Sequence, residues 1–196
     1  MTSDVQTLLP TLLAQESSQR LRCRGELVCS LPQIPDFYRQ RQYLPAWSDN
    51  GKMVPAALDL LTALYRAPDQ GLVPEAYHLA AIKSLWADLS SPPSEYRRDQ
   101  ARRLAELDIL LTDAFLLYAD HLGSGQVNPE TIHSAWIVQG ARIASNGRLT
   151  QHLTTALTEN SISATLEALA PPHDGYQRLK VALSHLRDLA ENGEWP

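Results

Sequence analysis

The sequence has little cysteine, and the two that it has do not form a metal or redox motif. Its 196 residues include only Cys23 and Cys29, whose spacing is not the C-x-x-C of zinc ribbons or thioredoxin-like sites. Two close thiols in a chain with no others fit a local disulfide in an oxidising compartment, worth roughly 2–2.5 kcal/mol by loop entropy. We predict this disulfide; the alternative is two free thiols in a cytosolic protein.

The short motifs that carry catalysis are missing as well. The sequence has no G-x-x-x-x-G-K-[ST] or G-x-G-x-x-G loop, no H-E-x-x-H and no G-x-S-x-G. No two of its six histidines stand four residues apart on a helix with an acid between them. We therefore predict no catalytic residue, no metal and no cofactor in this chain.

Positive charge and long apolar runs are also scarce. The net charge of −5 argues against nucleic acid and anionic membranes as partners. The most apolar stretch is interrupted by Asp108, Asp113 and Asp120, so no transmembrane segment is predicted. No signal peptide is visible, because Asp4 precedes the first apolar residues and the first basic residue is Arg20. If the protein is exported, we expect the signal to lie outside this sequence.

What the sequence has instead is helical periodicity, strongest from about Ser94 to Leu122. Apolar residues recur there at steps of three and four positions, and the second half is apolar on nearly every face. Such a helix needs other helices around it. The pattern predicts an all-α fold, an irregular bundle of about seven to eight helices around one long central helix (about 94–122).

Further helices are predicted on both sides of the central one. They span about 3–18, 36–44, 55–67, 74–89, 149–159, 163–169 and 174–191, with a short helix opened by Pro129. Pro10 should kink or split the first of them, so we expect residues 1–23 to form a loosely attached N-terminal appendage and 24–196 a single domain. The inward faces are predicted for two helices: Leu58, Leu61, Leu64 and Tyr65, and then Tyr176, Leu179, Leu183, Leu186 and Leu189.

Two acids on the central helix are the remaining candidates for enzyme chemistry. A buried Asp108 or Asp113 with a raised pKa is able to act as a general acid. We favour a structural interpretation, in which both carboxylates bond to the backbone at the ends of neighbouring helices or pair with an arginine.

An aromatic and basic segment at residues 37–47 is the candidate binding site. Aromatic rings stack on sugar faces, and the arginine fork holds carboxylates. The four candidate binding residues are Tyr38, Arg41, Tyr43 and Trp47. The alternative, which we favour, is that the aromatic residues anchor an irregular segment to the bundle, with Arg41 half-buried and paired.

The same segment carries a family resemblance. The residues FYRQRQYLPAW (37–47) fit the pattern FY-x-x-R-x-Y-x-P-x-W of the scaffold domain of large L,D-transpeptidases of the YcbB type. Three later blocks resemble the same domain in the same order. They are ALDLLTALYRAPDQGLVPEAYHLAAI (57–82), LAELDILLTDAFLLYADHLGSGQVNP (104–129) and LEALAPPHDGYQRLKVALSHLRDLAENGEWP (166–196).

The resemblance implies a non-catalytic scaffold of a periplasmic enzyme that forms 3-3 peptidoglycan cross-links in cell-wall biogenesis. The scaffold's partners would be the catalytic and peptidoglycan-binding domains of the same parent protein. The family's Ser-His-Gly-Cys nucleophile block is missing here, and RCRGELVCS (22–30) does not match it. No catalytic residue is therefore carried over. The alternative function is a stand-alone peptidoglycan-binding module that uses residues 37–47.

Overall fold

A computed structural model describes residues 1–14, 21–30, 32–90, 97–127 and 147–193, and it confirms the all-α prediction. The helix predicted after Pro129 lies outside the described residues. The described residues form eight α-helices. They are α1 (Thr2–Ala14), α2 (Ile34–Gln40), α3 (Pro55–Tyr65), α4 (Leu79–Ser90), α5 (Arg97–Ser124), α6 (Arg148–Glu159), α7 (Ile162–Leu169) and α8 (Asp174–Glu191).

Helix α5 is the central element, as predicted. It is 28 residues long and packs against α1, α2, α3, α4, α6 and α7. Every residue from Leu107 to Leu116 is buried. This follows from its composition, because a helix that is apolar on all sides is stable in water only when other elements cover it completely.

Two small antiparallel hairpins interrupt the helices, although no strand was predicted. Strand β1 (Arg22–Cys23) pairs with β2 (Glu26–Leu27), and β3 (Ser48–Asp49) pairs with β4 (Lys52–Met53). The second hairpin turns at Asn50 and Gly51, with φ of +48° and +82°, as a two-residue Asn-Gly turn requires. Strands of two residues are too short to give an alternating pattern, so the sequence did not reveal them.

The helix predicted from Pro74 begins later than expected. Residues Pro74–Tyr77 form a separate 3-10 turn, and His78 adopts a left-handed conformation with φ of +59° before α4 starts at Leu79. A left-handed residue that is not glycine is uncommon. His78 breaks the helix here because its side chain is held by two carboxylates, described below.

Helix α1 is part of the core and is not loosely attached. It continues through Pro10 without splitting, and it packs against α5. Val5 and Leu9 are 1% and 0% exposed. The expectation of a loose attachment is therefore wrong for α1, because its two apolar residues four positions apart seal one side of α5. The proposed boundary at residue 23 stays a prediction.

The buried face of α3 is only partly the one predicted. Leu64 is buried and Leu61 is half-buried against the core, but Leu58 and Tyr65 are 51% and 52% exposed. The core is instead reached by a neighbouring stripe of the helix, which includes Ala57 and Leu60. Two stripes on α3 have apolar residues at helical spacing, and small alanines allow the closer approach to neighbouring helices.

Helix α8 departs most from the sequence prediction, because none of its residues is buried. Of the five residues expected to face inward, Leu179 and Leu186 are 70% and 47% exposed, whereas Tyr176, Leu183 and Leu189 are half-buried. The helix is attached through the turn at Ala67–Gln70, where the Tyr176 hydroxyl donates to Gln70 Oε1 at 2.7 Å. Arg187 also donates to the main-chain oxygen of Pro68.

Matched leucine truncations should distinguish α1 from α8. We expect Leu9→Ala to lower the free energy of unfolding by about 2–5 kcal/mol, because it opens a cavity in the core. Leu179→Ala should change it by less than about 0.5 kcal/mol, because the side chain is exposed. Urea unfolding of both variants measures this. A neutral Leu9→Ala would show that α1 does not contribute to the core.

Candidate functional site

The carboxylate of Asp108, buried inside the bundle, binds the start of the segment that leads into the second hairpin. Its Oδ1 accepts from the main-chain N–H of Ala46 at 2.8 Å, and its Oδ2 accepts from that of Trp47 at 3.0 Å. The Tyr38 hydroxyl donates to Oδ1 at 2.7 Å. These bonds tie α2 and the irregular residues after it to α5.

Thr112, one turn along α5, extends this network. Its Oγ1 accepts from the indole N–H of Trp47 at 2.9 Å and lies 2.8 Å from the Tyr38 hydroxyl. The Thr112 hydroxyl also lies 2.9 Å from the main-chain oxygen of Asp108, to which it can donate. Every polar atom of the two large aromatic side chains is therefore satisfied inside the core, as burial requires.

Asp113 does the same for the first hairpin. Its carboxylate accepts from the main-chain N–H groups of Cys29 at 2.8 Å and Ser30 at 2.7 Å. His78 Nε2 lies 2.8 Å from Asp113 Oδ2, and His78 Nδ1 lies 3.2 Å from Glu26 Oε2. His78 thus bridges the first hairpin and α5, which explains its strained backbone.

The two acids are structural, as the favoured interpretation predicted. Their donors are loop backbone groups, Tyr38 and His78; neither forms an ion pair with an arginine in the described part of the chain. Burial raises the pKa of Asp108 to about 6, against the lowering effect of the Ala46, Tyr38 and Trp47 hydrogen bonds. Because the two side chains are 1% and 0% exposed, neither reaches a substrate, and the general-acid interpretation is rejected.

The candidate binding residues of segment 37–47 do not form a ligand surface together. Tyr38 and Trp47 are fully buried, so neither ring can stack on a sugar. Arg41 is half-buried, as predicted. It donates to the main-chain oxygens of Leu44 and Pro45. Its guanidinium also lies 5.4 Å from the centre of the Phe37 ring. Tyr43 is also half-buried. The interpretation that aromatic residues anchor this segment to the bundle therefore accounts for Tyr38 and Trp47.

The predicted disulfide is not formed, since no bond joins Cys23 and Cys29. Cys23 is buried on strand β1 of the first hairpin, whereas Cys29 is exposed, with its N–H held by Asp113. Burial and the negative charges of Asp113 and Glu26 raise the pKa of the Cys29 thiol. A raised pKa disfavours the thiolate, which is the nucleophilic form.

Two helices each have more than one exposed large apolar side chain, and single exposed ones lie elsewhere, at Leu27, Leu44, Val73 and Val127. We define the outer face of α8 by Leu179 and Leu186, seven residues apart and therefore on the same side of the helix. The outer face of α3 is defined by Leu58 and Tyr65, at the same spacing. The sequence could not reveal these faces, because an exposed apolar stripe and a buried one have the same periodicity.

Within the described residues, no group of three or more His, Cys, Asp and Glu side chains is placed to hold a metal ion. In the same ranges, no helix is both long and apolar enough to span a membrane.

The chain matches a family model described as "Scaffold domain" over residues 32–183, well over half of its length. The comparison with curated proteins and the comparison with solved structures gave no significant match. The matched range begins at the approach to α2 and ends within α8, so it contains both buried acids and their partners in segment 37–47.

Asp108→Asn tests the structural role of the buried acid. An amide has one acceptor oxygen, so its NH₂ group would face the N–H of Ala46 or Trp47. We expect a loss of about 1–3 kcal/mol of unfolding free energy, the usual cost of a buried unsatisfied donor. Asp188→Asn, on the exposed side of α8, is the control and should be neutral. Chemical unfolding at pH 7 measures both, and equal stability of the two variants would contradict the role.

The pH dependence of stability tests the contact between His78 and Asp113. Burial favours the neutral imidazole, but the hydrogen bonds and charges of Asp113 and Glu26 outweigh it and raise the pKa of His78. A raised folded-state pKa stabilises the fold fully below the unfolded value, near 6.5, and less as pH rises through the folded value.

The unfolding free energy should therefore fall as pH rises above about 6.5, and His78→Gln should flatten this decline. His152→Gln, at an exposed position on α6, is the matched control and should keep it. Denaturant unfolding at a series of pH values measures the slope. A decline that persists in His78→Gln would assign it to other groups.

Proposed function

Because the chain belongs to the scaffold-domain family of YcbB-type L,D-transpeptidases, we propose that it is the non-catalytic framework of such an enzyme in the periplasm. In this proposal it positions a catalytic module and a peptidoglycan-binding module. The parent protein would form 3-3 cross-links in peptidoglycan during cell-wall biogenesis. The family match over residues 32–183 is the observation that carries the proposal.

The chemistry of the interior supports a non-catalytic role. Asp108, Asp113 and His78 are buried, and the hydrogen bonds of all three side chains hold the fold. Cys29 is exposed, but its raised pKa keeps it protonated near neutral pH. A catalytic site needs such groups free to exchange protons with a substrate.

The outer face of α8 supports a positioning role. Leu179 and Leu186 are both exposed on one side of the helix, and exposed apolar patches are typical of interaction sites. No residue of helix α8 is fully buried, so the helix lies at the surface of the domain. We infer that the companion modules dock on this face.

The stand-alone peptidoglycan-binding alternative is less well supported. Two of its four side chains, Tyr38 and Trp47, are enclosed in the core. Arg41 and Tyr43 alone offer half-buried groups. Sedimentation with isolated cell wall separates the two functions, because a pure scaffold stays in the supernatant.

Substitutions on α8 test the docking face. We expect the double variant Leu179→Ser with Leu186→Ser to fold normally but to weaken binding to an L,D-transpeptidase catalytic module at least about tenfold, since central apolar contacts carry most binding energy. Leu58→Ser with Tyr65→Ser, on the outer face of α3, is the matched control and should bind as the wild type does. Sedimentation-velocity titrations measure the affinities.

Two results would contradict the proposal. One is a wild-type protein that turns over a tetrapeptide stem without any other module. The other is an α8 variant that keeps full affinity for the catalytic module, which would place the docking surface elsewhere.

A further inference from the structure

A cavity of about 340 Å³ lies between α3, α5, α7 and α8, and we propose that it binds a short zwitterionic peptide with small apolar side chains. Volumes of this order are at the lower end of small-molecule sites, so the cavity takes a short peptide and not a folded partner. The proposal does not depend on the proposed function, because no other module contributes to the cavity.

The innermost polar group of the cavity is the hydroxyl of Tyr118, on α5. The side chain is 3% exposed, and its ring packs edge-on against Tyr77 with centroids 5.0 Å apart. The hydroxyl forms no hydrogen bond with any residue that the structure describes. Burial raises the pKa of Tyr118, so it stays a protonated donor. A hydroxyl that faces an open cavity and has no protein partner is available to donate to a ligand or to water.

The charged groups around the cavity have both signs, and one of each sign lacks an ionic partner. Arg66 and Asp69 are paired with each other, with Nε and Oδ2 3.4 Å apart. The Lys180 ammonium has only a contact at 5.9 Å with the ring of Tyr176, and no carboxylate lies within salt-bridge distance among the described residues. Glu167 likewise has no cation there. A free cation and a free anion beside one cavity match a ligand with both charges.

The remaining wall contains apolar and polar side chains. The apolar ones are Ala63 of α3, Leu122 of α5, Leu166 of α7 and Ala170, and the polar ones are Thr62, Gln70, Ser163 and Gln177. Alanine-sized side chains fit against such a surface without the room that a large aromatic side chain would need. In the proposed complex, the peptide carboxylate pairs with Lys180, its ammonium pairs with Glu167, and its amide oxygen accepts from the Tyr118 hydroxyl.

The ligand would also join α8 to the body of the domain. Lys180 and Gln177 belong to α8, whereas Glu167 and Tyr118 belong to the bundle. Because α8 has few other attachments, each charged contact across the cavity would add to its hold on the turn at Ala67–Gln70. Peptide binding should therefore raise the thermal midpoint of the protein.

Calorimetric titration of the purified protein with dialanine tests the ligand class. We expect saturable binding of dialanine with a matching rise in the thermal midpoint. N-acetyl-dialanine and dialanine amide each lack one charge, and each should bind at least about tenfold more weakly, since hydrogen bonds to charged groups are the strong ones. No binding of dialanine, or equal binding by either capped form, overturns the proposal.

Single substitutions locate the site. Lys180→Met and Glu167→Gln should each weaken dialanine binding about tenfold, and Tyr118→Phe several-fold. Tyr118→Phe removes a hydroxyl that has no protein partner, so its thermal midpoint without peptide should equal that of the wild type. Lys52→Met, on β4 and exposed, is the control and should bind normally. Unchanged affinity in Lys180→Met and Glu167→Gln would place the peptide elsewhere and overturn the proposal.

Discussion

Two buried carboxylates on one helix hold the irregular parts of this fold in place. Backbone N–H groups in loops need acceptors when they are buried, and here Asp108 and Asp113 provide them. The two residues are five positions apart, or about 140° around the helix, so they face different segments. One binds Ala46 and Trp47 and the other binds Cys29 and Ser30. A single apolar helix thereby fixes two hairpins that have only two residues in each strand.

This arrangement explains why the two buried carboxylates are not available for catalysis. Removing a carboxylate from water is unfavourable unless hydrogen bonds replace its solvation, and each acid is bound by three donors. His78 joins the second acid at the cost of a left-handed backbone. Asp108, Asp113 and His78 are residue types that also occur in catalytic sites, but here their side chains hold loops in position. This is the role expected in a framework domain.

At the surface around α8, in contrast, apolar side chains are exposed and some polar groups lack protein partners among the described residues. Helix α8 lies on the surface with exposed leucines, and the cavity beneath it is lined by an unpartnered hydroxyl and by unpaired charges. The buried centre and the exposed edge separate two tasks. The centre maintains the shape of the domain, and the edge offers surfaces to other molecules, whether a companion module on the outer face of α8 or a short peptide within the cavity.

The sequence by itself determined the helical class, the central helix and the family, because these depend on local periodicity and on ordered motifs that each occupy a few neighbouring residues. It also indicated that Asp108 and Asp113 were structural and that Arg41 was half-buried. Only the tertiary structure decided that Tyr38 and Trp47 belong to the core, that α1 packs tightly, that His78 breaks a helix and that α8 faces outward. Each of these depends on a partner far away in the chain, and amphipathic spacing shows that a helix has an apolar side without showing what covers it.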